Sequence, residues 1–498
     1  MSEPVLIGAD IGTTKVKAAG FTLEGRQLTS AARAYPTARP APGHVEQAPA
    51  DWWSALESVF ASLAEEIPLE AVASVGVCSQ VNTHVFVDAG GHELRPAITW
   101  QDQRCAQLAS ELDARITDDQ RRALWQPGFH LDASNLLARA EWVRRVEPRI
   151  WQQTRWILTP KDYVNLRVTG AAATDPLSSI GLVATSGETY LELDPIVAGA
   201  VARLPPVRNL ATRCGETDGT VLGLPAGIAV AVGTMDAWGS VYGSGVVADG
   251  QGFQVSGTSE ILGLVGNAGT GAAGAVAFPP YRGLRLFAGP TQAGGDSLRW
   301  FSEARHRPIS WTLTQAERAP EGADGVVFLP HLAGERAPLW DPDLRGGFIG
   351  LGLEHGEHHL CGALLEGVAF SARQLLEVLE EAASCRPTGL ALSGGGAASD
   401  LWSQIKADVL SLPLARLAVL DSGVLGAALF GGVAAGILAD LETAARQTIH
   451  TDRVFEPRPE TVERYEEAYR SYRSVQAALT PVFHERARRA GLRSGVRA

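Results

Sequence analysis

The feature that most constrains this chain is a short turn, Asp10-Ile11-Gly12-Thr13-Thr14-Lys15, which returns in kindred form as Ser256-Gly257-Thr258-Ser259 about half a chain later. Each turn lies between apolar runs that read as buried strands: 4–9 and 16–21 around the first, 253–255 and 261–265 around the second. Such a unit can turn backbone N–H groups, hydroxyls and an ammonium towards a phosphate, and a carboxylate towards a divalent cation. One copy alone is as readily a hairpin without a ligand. A second correspondence strengthens the first. Asp236 heads a small-residue helix late in the first half, and Asp421, before Ser422-Gly423-Val424-Leu425-Gly426, does the same late in the second. Small residues at four-residue spacing let helices approach closely, which suits a domain interface and hinge. The expectation is a duplicated α/β chain divided into 1–246 and 247–498.

Length agrees, because 498 residues exceed what one core accommodates. A net charge of −12 argues against nucleic acid as the main partner. The Arg-rich end (Arg486, Arg488, Arg489, Arg493, Arg497) reads as a solvated helix terminus. Five scattered cysteines lack metal-ligand spacing and read as reduced core thiols. The N-terminus does not read as a signal peptide, and the longest apolar stretch, 221–232, is short and contains Pro225. A soluble, cytoplasmic protein with no membrane partner is expected.

Along the chain, a third strand is expected at 27–34 after a bend at Glu24-Gly25, closing a meander. Asp51 is a plausible N-cap for a helix carrying Trp52, Leu56, Val59, Phe60 and Leu63 on one face. Residues 72–79 and 83–87 return to strand character. Residues 229–232 form an apolar strand that runs into Gly233-Thr234-Met235-Asp236. Asp236 therefore sits where a strand gives way to a helix. Alone, an aspartate in that position is most simply an N-cap. Gly394-Gly395-Gly396 lies between an apolar strand at 390–392 and a helix from Ser399, the context in which glycines let backbone approach a nucleotide. The stripe Val462, Tyr465, Tyr469, Tyr472 and Val475 marks a packed amphipathic helix.

Taken in order, these pieces resemble the FGGY family of carbohydrate kinases, within the actin-like ATPase superfamily. The motifs that carry the resemblance are 10–15, Pro42-Gly43-His44-Val45-Glu46-Gln47, Ser79-Gln80, 96–104, Pro160-Lys161-Asp162-Tyr163 and Thr174-Asp175. The second half adds 328–340, containing Gly334-Glu335-Arg336-Ala337-Pro338, then Leu365-Glu366-Gly367 and Ser393-Gly394-Gly395-Gly396. The resemblance implies two ribonuclease-H-like domains closing over a cleft, with sugar mainly against the first and ATP mainly against the second. By position it implies that Gly257 and Thr258 hold ATP phosphates and that Gly395 and Gly396 line the adenosine pocket. Thr13 and Thr14, with Lys15 beside them, would face the γ-phosphate, Asp10 the Mg²⁺. Asp236 matches the family's catalytic aspartate, whose chemistry is to orient a hydroxyl and accept its proton.

Sugar recognition would fall to Gln80, Asn82, Trp100, Asp102 and Asp236, polar groups able to pair with hydroxyls. His84 reads rather as a satisfied strand histidine. D-xylulose is the first expectation, because Trp100-Gln101-Asp102 and the overall layout look closest to the xylulokinase subgroup. Val81 stands where glycerol kinases carry an arginine, which argues against glycerol. Asn82 stands where xylulose kinases commonly carry histidine, and Ala237 where many carry asparagine. Other ketoses, aldonates such as gluconate, short polyols such as erythritol, and an inactive actin-like scaffold stay open, as does a homodimer.

Overall fold

The computed structural model describes residues 3–124, 130–184, 187 and 189–489. Arg493 and Arg497 lie outside the described residues, as does every other residue beyond Arg489. The chain forms two compact units, residues 1–245 with 422–449, and 246–421 with 450–498. Hence a single cut in the sequence does not separate them, because the segment 422–449 returns to the first unit.

The first unit is built on a seven-stranded sheet. Its strands are β1 (Val5–Ile11), β2 (Lys15–Phe21), β3 (Gln27–Ala34), β4 (Val72–Ser79), β5 (Arg213–Asp218), β6 (Ala226–Ala231) and β7 (Thr234–Met235). The order is β3-β2-β1-β4-β6-β5, with β7 also pairing β4. β1 and β2 are antiparallel and β1 and β4 parallel, so the hairpin turn opens beside the end of β4. Helix α1 (Pro49–Ala64) lays Trp52, Leu56, Val59, Phe60 and Leu63 into the core, each about 1.5–3 kcal/mol of burial. It begins three residues earlier than expected. Ala48 is the N-cap and Pro49 the first helical residue, where a missing N–H costs nothing, so Asp51 falls in the first turn. Likewise the strand expected from residue 83 is confined to Val85–Val87, because Asn82 turns into the left-handed region at φ 46°.

Two small-residue helices pack within this unit: one at Asp236–Gly243, the other the returning helix Ser422–Ala434. A Cβ on Gly243 would lie 1.8 Å from Ser422 O, and one on Gly426 would lie 2.0 Å from Gly239 O. The same helix presses on β1 and β4, where a Cβ on Gly8 or Gly76 would strike Val424 O or Ala427 O. Close helix approach was expected across a domain boundary. It occurs instead inside one unit.

The second unit repeats the plan. Its sheet contains β8 (Gly252–Ser256), β9 (Glu260–Val265), β10 (Val276–Ala277), β11 (Leu286–Pro290), β12 (Leu390–Ser393), β13 (Leu414–Leu417) and β14 (Thr451–Phe455). The order is β10-β11-β9-β8-β12-β13-β14. β8 pairs antiparallel with β9 and parallel with β12, as β1 does with β2 and β4. The duplication read from two turns is thus a duplication of sheet topology. The last helix, Pro459–Arg489, buries Tyr465, Tyr469 and Tyr472 and carries Arg486, Arg488 and Arg489 in its final turn. The five cysteines are unpaired thiols, all buried except the half-buried Cys385.

Candidate active site

In the first unit, the 10–15 turn is held from behind. Gly12 N–H closes the hairpin on Lys15 O at 3.1 Å, and Tyr35 N–H reaches Thr14 O at 3.2 Å. Gln47 Nε2 donates to Thr13 O at 2.7 Å, and the Tyr35 hydroxyl donates to Gly12 O. With three successive carbonyls engaged by the protein, Thr14 and Lys15 stand exposed at the tip and Thr13 is half-buried. Trp100 Nε1 donates to Thr13 Oγ1 at 3.1 Å, so the turn and the expected sugar segment are in direct contact.

Gln80 is buried and joined to the same turn directly and through Gln47. Its N–H donates to Ile11 O at 2.9 Å, and its Nε2 to Gln47 Oε1 at 2.9 Å. Gln80 Oε1 is a buried acceptor without a protein donor, the kind of orphan that a bound hydroxyl satisfies. Asn82 lies beside this group with its Nδ2 on Ser134 Oγ at 2.9 Å. Asp102 is placed differently. Its carboxylate accepts Val45 N–H at 2.5 Å and is gripped by Arg104 Nε and Nη2 at 2.9 and 2.7 Å. These bonds, although burial opposes them, hold the carboxyl below its usual range. Fully buried, Asp102 acts in this structure on Val45 and Arg104. His84, as expected, is satisfied internally, its Nδ1 2.9 Å from Arg139 Nη1.

Asp236 opens the helix Asp236–Gly243 but does not cap it. Met235 is the N-cap, and Asp236 Oδ1 accepts Ala237 N–H at 2.8 Å. The strand behind it is strongly fixed. Gly233 has φ +69°, and a Cβ there would lie 1.8 Å from Val77 O. Thr234 Oγ1 donates to Asp175 Oδ2 at 2.6 Å, while the buried Lys161 joins Asp175 at 3.0 Å and Asp162 at 2.5 Å. The Lys-Asp-Tyr and Thr-Asp motifs therefore brace the strand that delivers Asp236. Burial, reinforced by the charge of Asp10, pushes the Asp236 carboxyl up to about 7. A carboxylate near neutrality is suited to proton transfer at ordinary pH.

In the second unit, Gly257 N–H closes its turn on Ser259 O at 3.0 Å, with Thr258 exposed. The helix Gly295–Ala304 starts against this turn: Gly295 and Asp296 N–H reach Gly257 O and Thr258 O at 2.9 and 3.0 Å. A helix N-terminus next to this turn adds positive potential there. The glycine turn 394–396 packs on the same strand end, where a Cβ on Gly396 would lie 2.2 Å from Ser256 Oγ and one on Gly394 2.5 Å from Ser256 O. At Gly395 an added Cβ would meet nothing within 4 Å, leaving its backbone approachable. Beneath both turns lies a buried ion pair, Lys406 Nζ to Glu260 Oε1 at 2.7 Å, with Lys406 also on Ser256 Oγ. The Gly-Glu-Arg run braces this unit too. Glu335 accepts His331 at 2.8 Å and Arg336 N–H at 2.9 Å, and Arg336 Nη2 reaches Thr291 O at 2.6 Å.

Gln47, Arg139, Lys406 and the Gly294-Gly295 helix start were not singled out as site residues in the sequence. The last had a readable signal, a strand and glycine pair before a helix, the same pattern as Gly394–Gly396. Side-chain bridges such as Lys406 to Glu260, 146 residues apart, leave no local signal.

Two units of this repeated topology, each with a Gly-Thr turn at the end of its first strand, define an actin-like ATPase fold. The chain belongs to the FGGY family of carbohydrate kinases: the N-terminal domain of that family matches residues 5–243 and the C-terminal domain residues 252–435. It is an ATP-dependent sugar kinase. The xylulose kinase of Lactococcus lactis is 27% identical over 96% of this chain and 98% of its own. The glycerol kinase of Thermus brockianus is 32% identical, with 94% and 97% covered. Among solved structures, the xylulose kinase of Rhodospirillum rubrum superposes with a TM-score of 0.80 at 28% identity, covering 96% of this chain and all of that one. No described helix is long and apolar enough to cross a membrane.

Proposed function

We propose that this chain transfers the γ-phosphate of ATP to a hydroxyl of D-xylulose, with Asp236 as general base. The observation that carries the base assignment is the placement of Asp236 at a braced strand end, its carboxyl raised to about 7 by burial and by Asp10. As the sugar oxygen bonds to the γ-phosphorus, its proton passes to the Asp236 carboxylate. The bond from that phosphorus to the bridging oxygen breaks, and ADP leaves. Gln80, Asn82 and Trp100 read the sugar, and Asp102 contributes by holding the Val45–Arg104 framework around them. Thr13, Thr14 and Lys15 meet the γ-phosphate; Gly257 and Thr258 hold the phosphates of ATP; Gly395 and Gly396 line its adenosine. On this reading the unit of 1–245 with 422–449 is the sugar-binding portion and the unit of 246–421 with 450–498 the ATP-binding portion, in a cytoplasmic enzyme.

The hard oxygens of Asp10, beside a second carboxylate in Asp236, fit Mg²⁺, which favours one or two carboxylates together with phosphates. Asp10 would hold the ion, which when bound neutralises charge on the phosphates.

D-xylulose is supported by the xylulose kinases among the relatives and by Val81, which offers a glycerol hydroxyl no hydrogen bond. Asp236→Asn tests the base. ATP binding should persist, with kcat lowered by about 10²–10⁴-fold; near-normal turnover would remove Asp236 from the role.

A further inference from the structure

Arg139 projects from the helix Leu136–Val146 into the interior of the first unit and is 0% exposed. Burying a guanidinium is costly unless its donors are met. Here its contacts go to neutral acceptors: Nε to Ala133 O at 3.3 Å, Nη1 to His84 Nδ1 at 2.9 Å, to Ile98 O at 3.1 Å and to Asn82 O, and Nη2 to Thr99 O at 2.5 Å. These atoms belong to three separate segments: the one carrying Asn82, the one leading into Trp100, and the one containing Ser134.

We infer that Arg139 is a positioning residue for the sugar, holding the Asn82 and Trp100 segments in the one arrangement that pairs with its hydroxyls. The inference rests on the sugar-reading role proposed above for those segments. Asn82 has φ 46°, a conformation that asparagine tolerates better than most residues but that still needs fixing. Arg139 holds its carbonyl while Ser134 Oγ holds its side chain at 2.9 Å. Thr99 O is held at the peptide that joins Thr99 to Trp100, and Trp100 N–H is held by Thr83 Oγ1 at 3.1 Å. The two segments are thereby locked to each other. Arg139 also selects a tautomer. With Nδ1 accepting from the guanidinium, His84 carries its proton on Nε2, and burial together with the adjacent cation keeps it neutral. Lysine could not replace this device, because one ammonium cannot span a fork of acceptors.

The test uses Arg139→Lys and Arg139→Gln in the full chain. Cooperative unfolding should persist. Amides 82–84 and 98–100 should exchange with solvent faster than in the wild type, and KM for the sugar should rise by about tenfold or more while KM for ATP stays within about twofold. Unchanged exchange in those amides, or equal rises in both KM values, would overturn the inference. So would loss of cooperative unfolding in both variants, which would make Arg139 a residue of the fold as a whole. Absence of sugar-stimulated ADP release in the wild type would instead overturn the sugar reading, and the exchange measurement would still decide the positioning role.

Discussion

Asp10 and Asp236 are brought together through Cys78. Asp10 is the register partner of Cys78 from β1, Thr234 is its partner from β7, and Asp236 follows two residues later. Cys78 Sγ lies 3.7 Å from Asp10 Oδ1, and both carboxylates, after burial, push the thiol upward. Cys78 is thus held as a buried, neutral thiol beside the two carboxylates.

The pair sets a pH dependence. A base must be ionised to accept a proton, and Asp236 holds its proton up to about pH 7. In the free enzyme, kcat/KM for the sugar should therefore fall as pH drops through about 7. Carboxyl NMR should place the Asp236 midpoint there, and lower in Asp10→Asn. A midpoint near 4 in the wild type would contradict the coupling.

Glu366 gives a stability counterpart in the second unit. Burial pushes its carboxyl up to about 7, against the lowering effect of the bonds it accepts from Gly322 N–H at 2.9 Å and the Tyr465 hydroxyl at 3.1 Å. A folded-state value above the unfolded one stabilises the fold at low pH, and that contribution is lost as pH rises from about 4.5 to about 7. Glu366→Gln should therefore gain up to ~3 kcal/mol relative to wild type at pH 8 compared with pH 4 in denaturant unfolding. A pH-independent difference would contradict the assignment.

The pair Lys406–Glu260 separates breaking an ion pair from replacing it. Lys406→Met leaves Glu260 buried without its cation and should cost about 3–5 kcal/mol. Adding Glu260→Gln to that variant should recover much of the loss by removing the uncompensated charge. No recovery would mean that the pair does not act as a unit.

Gly396→Ala would press a Cβ on Ser256 Oγ at 2.2 Å. KM for ATP should rise by about tenfold or more, with KM for the sugar little changed. Relief on adding Ser256→Ala would identify the contact as the cause. Equal effects on both substrates would contradict an ATP role for this turn.

Much of this was legible because it is local. The turns at 10–15 and 256–259 announce themselves by residue type between apolar strands, and Asp236 by its place where a strand ends and a helix starts. The core face of α1 followed from spacing alone. The N-cap at Asp51 misled, because Pro49 is equally able to open a helix and lies earlier. The small-residue helices were readable as closely packed, but not as belonging to one unit, since 422–449 joins the first unit only through tertiary contacts. Asp102 reads as a sugar ligand by residue type, and its bonds to Val45 and to Arg104 two residues on are contacts that type alone does not show. Arg139 and Lys406 act across 57 and 146 residues, where periodicity carries no information.

The most direct measurement is steady-state ADP release with D-xylulose, D-gluconate, glycerol and erythritol compared side by side, with the phosphorylated product identified by ³¹P NMR. The expected result is ATP-dependent turnover with the highest kcat/KM for D-xylulose, lowered by about 10²–10⁴-fold in Asp236→Asn. A higher kcat/KM for any of the other three, or no stimulation by D-xylulose, would contradict it.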